Sequence, residues 1–246
     1  HPRTEYIQKT FGMHHTQPES YYILDAEDDA CVYIGLKEGV DKEAMERDLR
    51  SAEKGEMIFD VEKYVNKVPV KKHDHILIPA GTVHCSGKNA MVLEISATPY
   101  IFTFKLWDWG RVGLDGLPRP IHIDHGMKNI EWNRTTSWVM ENIVNNIKTL
   151  EEKDDYKKEV TGLHELEFIE TERYTTSTFF DVEMTDSVQQ LNLVEGKSAL
   201  IESLDGSFPP FEVHYAESFI IPSSVKRYRV RSNSGEIKVV AAFVRN

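Results

Sequence analysis

The run Ile78-Pro-Ala-Gly-Thr-Val-His84 constrains the fold of this 246-residue chain more than any other segment. It follows the aliphatic stretch HILI, and a Pro and a Gly two apart make a tight reversal. His84 then stands where the next strand begins, directed inward. The surrounding sequence reads as short strands between turns. Glu19 to Asp25 and Ala30 to Leu36 flank an acidic AEDD turn, and the segments VKKHDHILIPAGTVH, NAMVLEISA and IFTFKLWDW continue the pattern. Helices interrupt it. Val40 to Lys54 is rich in Ala, Glu, Lys and Arg, with Asp41 at its N-cap and Gly55 just past its end. FDVEKYVNK predicts a second short helix, and a third is expected around Trp138 to Leu150. The apolar runs are short; VVAAFV, Val239 to Val244, is among the longest, far below the ~20 residues that span a bilayer. The expected class is all-β with inserted helices.

The two halves echo each other. His73-DHILIPAGTVH-Cys85 and Ala216-ESFIIPSSVKR-Tyr228 share aliphatic residues, a Pro, small residues and a Val. Aligned on Pro79 and Pro222, His84 falls opposite Arg227 and Gly81 opposite Ser224, so the second copy keeps the turn's outline without the imidazole or the glycine. Gly113, Gly116, Pro118 and Pro120 start a connector, and the alternating charges of EEKDDYKKE lead into the second block of strands. Two domains are expected, 1–155 and 156–246.

Charge narrows the partners. With 29 basic and 40 acidic side chains the net charge is −11, which argues against coating nucleic acid or an anionic membrane. A small phosphorylated substrate needs only two or three local cations and remains compatible. Cys31 and Cys85 are the only cysteines, too few for a disulfide framework, and fit a reducing, cytoplasmic compartment. The oligomeric state is not legible.

The phrase P-x-G-x-x-H resembles the second signature of the cupins, double-sheet jelly rolls whose barrel mouth commonly holds a metal. A metal needs further ligands. His1, and Glu19 at the start of a strand, are the candidates beside His84. Two imidazoles and a carboxylate suit Zn²⁺ and leave a position for water or substrate. A carboxylate that opens a half-buried strand is otherwise most often solvent-facing.

His1-Pro2, Glu19-SYYILDA, HILIPAGTVHCSGKNAMVLEIS and FKLWDWGRVGLDGLPRPIHI, taken in order, resemble type I mannose-6-phosphate isomerases, in particular the short bacterial branch with two cupin-like domains. The resemblance runs from residue 1 to about 130 and more faintly beyond. It implies zinc held by His1, Glu19 and His84, with a family Gln two residues before His1. The chain opens with His1 rather than Met and is expected to lack an N-terminal part. The family's catalytic Arg corresponds to Lys105, within a stretch that lacks the family's Gln-x-Asn-Ser-Asp phrase, and Arg111 offers a second cation. Lys is a point charge where Arg is a planar fork, so this exchange is not chemically neutral. The implied reaction is aldose–ketose isomerisation of mannose 6-phosphate and fructose 6-phosphate through an enediol, with Lys105 and Arg111 stabilising charge or holding phosphate.

Other features weigh less. His14 and His15 flank the loop to Glu19 and are read as exposed loop residues before they are read as a proton-transfer base. His73-Asp74-His75 looks like a metal triplet but is read as a solvated turn. Glu94 interrupts an apolar strand and is either inward-facing or part of ordinary alternation. Trp107 and Trp109 are read as core packing before sugar stacking. Cys85 should point away from the His84 face. Two alternatives stay open: a cupin that binds a sugar without turning it over, and another metal enzyme on the same barrel, such as a dioxygenase or epimerase. Turnover separates the first, metal identity the second.

Overall fold

The computed structural model describes residues 1–162, 165 and 167–245. The chain divides into two compact units, His1–Val144 and Asn145–Asn246. The first begins with helix α1 (Thr4–Phe11), which ends on Gly12 in the left-handed region, and continues into strands β1 (Glu19–Ala26) and β2 (Cys31–Leu36). Helices α2 (Lys42–Glu53) and α3 (Val61–Tyr64) precede β3 (Val65–Pro69), β4 (His75–Ile78), β5 (His84–Ser86) and β6 (Ala90–Ser96), and the short helices α4 (Ile123–Gly126) and α5 (Thr136–Asn142) close the unit. Asp41 caps α2 as expected, its carboxylate accepting the Ala44 N–H at 2.9 Å.

Two three-stranded antiparallel sheets, ordered β4-β1-β6 and β3-β2-β5, make the barrel. All six residues of β2 are buried because both of its faces are covered. Val32 and Ile34 pack with Ile23 and Ile76 in one apolar cluster, while Cys31 and Tyr33 join the other, which α2 closes with Met45 and Leu49. A register shift between Tyr33 and Leu36 then changes the parity and turns Leu36 toward the α2 side.

The second unit holds β7 (Lys148–Lys153), β8 (Tyr156–Val160), β9 (Ile169–Thr176), β10 (Phe179–Glu183), β11 (Gln189–Glu195), β12 (Ser198–Ser203), β13 (Phe211–His214), β14 (Ser218–Ile221), β15 (Arg227–Ser232) and β16 (Ile237–Val244). Its sheets are ordered β14-β11-β16-β9-β8-β7 and β10-β15-β12-β13. Strands β11 to β16 thus repeat the connectivity of β1 to β6. The neighbours β4-β1-β6 reappear as β14-β11-β16, and β3-β2-β5 as β13-β12-β15. The sequence echo is a structural one: Thr82 N–H bonds to the Pro79 carbonyl at 3.1 Å, and Val225 N–H to the Pro222 carbonyl at 3.0 Å. The chain is an all-β double jelly roll of the cupin type with inserted helices.

Four local expectations are corrected. The expected boundary after residue 155 would cut the β7–β8 hairpin, since EEKDDYKKE is a turn flanked by paired strands and the units divide before it. The third helix stops at Asn142, and Lys148 onward is strand. FDVEKYVNK makes a single helical turn and then enters β3. The stretch from Ile101 to Trp109 pairs with no strand, because Phe102 and Phe104 meet α1 instead: the Phe11 ring lies 5.7 Å from Phe102 and 6.1 Å from Phe104.

The turn between β4 and β5 carries the chain from one sheet to the other. Gly81 has φ +88°, a conformation L side chains rarely adopt, and a Cβ there would stand 2.8 Å from the Asn129 carbonyl oxygen. Arg134, buried at 8% exposure, donates to the Pro79 and Ala80 carbonyls at 2.7 and 2.6 Å and to the Thr82 hydroxyl at 2.6 Å. Gly81→Ala should therefore lower unfolding free energy by about 1–3 kcal/mol, seen as a lower urea midpoint at unchanged slope; an unchanged midpoint would show that the turn relaxes freely.

Candidate metal centre

The sheet switch explains why two distant residues meet. Glu19 opens β1 directly opposite Ile78, the last residue before the turn, and His84 opens β5 just after it, paired with Ile34. Folding the turn over therefore brings His84 above Glu19, with its Nε2 3.7 Å from Glu19 Oε1. His1 arrives from the start of the chain, its carbonyl accepting the Gly81 N–H at 2.8 Å, and its Nε2 contacts Glu19 Oε2 directly. One donor atom from each of His1, Glu19 and His84 lies within 4.8 Å of the others. Among the described residues this is the one such group that could hold a metal ion.

The surroundings fix the rings. His1 Nδ1–H donates to the Phe102 carbonyl at 3.0 Å and His84 Nδ1–H to the Thr82 carbonyl at 2.8 Å. Each bond directs Nε2 toward Glu19, and such a second bond is what holds a ligating histidine in orientation. Glu19 is only 4% exposed, against the expectation for a strand-opening carboxylate. The trio fits a divalent cation: the Nε2 atoms of both histidines face the Glu19 carboxylate, and these are the donor types a divalent cation takes.

The titration behaviour follows. Burial works against charge on His1, but its bond to Glu19, the Glu19 charge and the Phe102 carbonyl outweigh it and raise the His1 pKa. Burial likewise works against charge on Glu19, yet the His1 bond, the His84 and His1 charges and the Tyr21 hydroxyl bring its pKa below the usual carboxylate range. Burial prevails at His84, with the His1 charge acting in the same direction, and lowers its pKa.

A cavity of about 360 Å³ opens beside the centre, lined by both histidines and by Lys105, Asp108, Arg111 and Trp107 among others. Lys105 Nζ lies 3.2 Å from Asp108 Oδ2, Arg119 Nη1 3.5 Å from the same oxygen and Arg111 Nη1 3.7 Å from Oδ1. Asp108 is buried while the three cations are half-exposed or more, so one carboxylate is shared by three positive charges. Arg119 gave no signal of its own in the sequence. Neither did Gln17, which is 2% exposed and donates to Glu19 and Glu94, nor Tyr21.

The remaining sequence candidates separate. His14 is exposed, and neither it nor His15 lines the cavity. The solvated reading of His73-Asp74-His75 is corrected: Asp74 is 8% exposed and accepts the Lys71 N–H, and His75 is fully buried, its Nε2 hydrogen-bonded with the Ser20 hydroxyl at 2.9 Å. Cys85 packs with the cluster that contains Tyr33, and burial pushes its thiol up to about 12. Trp107 and Trp109 line the cavity with ring centroids 4.8 Å apart.

The chain is similar in sequence and in fold to known proteins. The chain is 28% identical over 131 residues to mannose-6-phosphate isomerase ManA of Bacillus subtilis, covering 53% of this chain and 39% of that protein. It is 21% identical over 228 residues to mannose-6-phosphate isomerase of Streptococcus mutans, covering 91% of this chain and 63% of that one. The chain is a relative of the mannose-6-phosphate isomerases. Its matches span from about two fifths to under two thirds of these relatives' lengths. The fold agrees: the crystal structure of the B. subtilis mannose 6-phosphate isomerase superposes with a TM-score of 0.77 at 18% identity, over 98% of this chain and 69% of that one. A point variant of phosphomannose isomerase from Salmonella typhimurium gives 0.68 at 10% identity, over all of this chain and 75% of that one. No family profile matches the chain. Among the described residues no helix is long and apolar enough to cross a membrane.

The titration argument gives a signed prediction. His1, its pKa raised, must give up its Nε2 proton before that lone pair can bind a cation, whereas His84, its pKa lowered, loses its proton earlier as pH rises. Zinc affinity should rise with pH until His1 has titrated and then level off. Calorimetry in buffers of different ionisation heat should find about one proton released per zinc below the His1 pKa and fewer above it; release that does not change with pH would contradict the assignment of the proton to His1.

Proposed function

We propose that this protein is a zinc-dependent aldose–ketose isomerase that interconverts mannose 6-phosphate and fructose 6-phosphate. The observation that carries the reading is one cavity with a His–Glu–His group in one part of its surround and a cluster of three cations around one carboxylate in another. The relatives' names supply the substrate.

When bound by His1, Glu19 and His84, zinc supplies Lewis-acid polarisation of the sugar's oxygens. The chain's own residues do the rest. Lys105, Arg111 and Arg119 together outnumber the Asp108 charge by two, so the cluster has charge to spare for a phosphate dianion. Asp108 keeps the three side chains together before the substrate arrives, which lowers the cost of ordering them. Lys105 and Arg111 line the cavity itself and are the two assigned to substrate charge. Trp107 and Trp109 offer aromatic wall against which a sugar face can lie. Isomerisation needs a proton moved between adjacent carbons by a group outside the metal ligands. Glu94, an exposed carboxylate linked to Glu19 through Gln17, is the group we assign to it.

The second unit is proposed to be a metal-free companion. Gln189 opens β11 as Glu19 opens β1, and Arg227 opens β15 as His84 opens β5. Gln189 Oε1 accepts the Tyr228 hydroxyl at 2.6 Å, so its polar group is satisfied inside the core. Both cysteines are free, which supports a reducing, cytoplasmic location.

Zinc-loaded protein should form fructose 6-phosphate from mannose 6-phosphate in a coupled assay and stop when chelated. Lys105→Ala should lose about 10- to 100-fold in kcat/KM, mainly through KM if Lys105 holds phosphate. Absence of turnover with one zinc bound per chain would refute the assignment; sugar phosphate bound without turnover would instead support the sugar-binding cupin.

A further inference from the structure

We propose that Gln17 is a positioning residue that ties the metal centre to the cavity wall carrying Lys105, so that metal occupancy and the order of that wall are coupled. This rests on reading His1, Glu19 and His84 as a metal centre.

Gln17 and Glu19 flank Pro18. A residue before proline is held extended, and residues two apart in an extended segment share a side, so the backbone aims the amide at the carboxylate. The amide then makes three of its four possible hydrogen bonds. Its Nε2 donates to Glu19 Oε2 at 3.2 Å and to Glu94 Oε1 at 3.3 Å, and its Oε1 accepts the Phe102 N–H at 3.1 Å. Only the nitrogen end can face two carboxylates, which fixes the amide's orientation. The Phe102 carbonyl in turn accepts His1 Nδ1–H, and His1 Nε2 returns to Glu19. The result is a closed hydrogen-bonded circuit through two proposed ligands, one buried amide and both polar groups of Phe102.

The circuit reaches the wall because Phe102 lies three residues before Lys105, in a stretch that pairs with no strand. The far end of this short span is held by His122, whose Nδ1 accepts the Lys105 N–H at 3.1 Å and whose own N–H bonds to the Lys105 carbonyl at 2.6 Å. Thr103 and Phe104, between the two anchors, line the cavity. A cation that fixes Glu19 and His1 therefore fixes Phe102, and with it one end of the Lys105 segment. By linkage, whatever orders that segment must also tighten the metal.

Two measurements test this on the full chain. In the wild type, hydrogen exchange at the Phe102 amide should slow when zinc alone is added; zinc binding with unchanged Phe102 exchange would overturn the coupling. In Gln17→Met, competition with a chromophoric chelator should show zinc bound about 10- to 100-fold more weakly, in a variant that circular dichroism shows to be folded. Wild-type zinc affinity in a folded Gln17→Met would overturn the positioning role. Should the variant not fold, the exchange measurement on the wild type decides alone. A wild type that binds no zinc at all would overturn the metal reading and this inference with it, a result distinct from zinc binding that ignores Gln17.

Discussion

A single buried carboxylate organises the first unit. Glu19 sits at 4% exposure, where an unpaired charge would be strongly unfavourable, and four side chains answer it. Tyr21, Gln17 and His1 supply hydrogen bonds, and His84 stands against its second oxygen. Each of these groups is fixed in turn by something further out: the Phe102 and Thr82 carbonyls for the rings and the Phe102 N–H for the amide. Burial lowers the His84 pKa while the contact with Glu19 raises that of His1, so His1 is the imidazole whose charge Glu19 favours. A protein that needed only stability would gain from an apolar residue at this position. Retaining a buried carboxylate among imidazole lone pairs is intelligible when a cation is the intended partner.

That carboxylate can be reached only because the chain changes sheets at the right place. β1 pairs with β4, and β5 belongs to the opposite sheet beside β2. The crossing is five residues of irregular backbone between Ile78 and His84, and Arg134 answers two of its carbonyls from 54 and 55 residues downstream in sequence. Gly81 lets the same turn pass close to the Asn129 backbone and present its N–H to the His1 carbonyl. Fold and site therefore share one element: the turn that closes the barrel also places one imidazole and fastens the other.

How much of this could be read from the sequence depends on the range of the interactions involved. His84 was legible because a Pro-x-Gly reversal followed by a strand is local chemistry, and the α2 helix because its cap and composition lie within a dozen residues. His1 and Glu19 were candidates by residue type, the family resemblance pointed to the same positions, and the structure gathers all three. Gln17 and Arg134 were not legible: nothing adjacent to a Gln says that it will lie between two carboxylates from different strands. The alternating apolar residues of Ile101 to Trp109 imitate a strand, but tertiary contacts with α1 and the cavity claim them. His75 was misread for a similar reason. A short charged triplet resembles a solvated turn until the β1 neighbour, with Ser20, covers its last member.

The comparison of the two units shows what separates a site from its scaffold. Strands β1 to β6 and β11 to β16 share their order, and both copies turn about a Pro with the same backbone bond, so neither topology nor turn geometry makes the difference. The difference lies in how polar groups at the strand openings are satisfied. In the second unit Gln189 finds the Tyr228 hydroxyl, and the buried Glu172 finds the Tyr174 hydroxyl and the Lys158 ammonium. Donors there meet acceptors, and the core closes on itself. In the first unit two imidazoles and a buried carboxylate converge at one point beside a cavity. A jelly roll tolerates either solution because its strands are held by backbone pairing and apolar packing away from that end. The two copies thus differ at matching strand openings: Glu19 and His84 stand there in the first unit and join His1 in one group, whereas Gln189 and Arg227 stand there in the second.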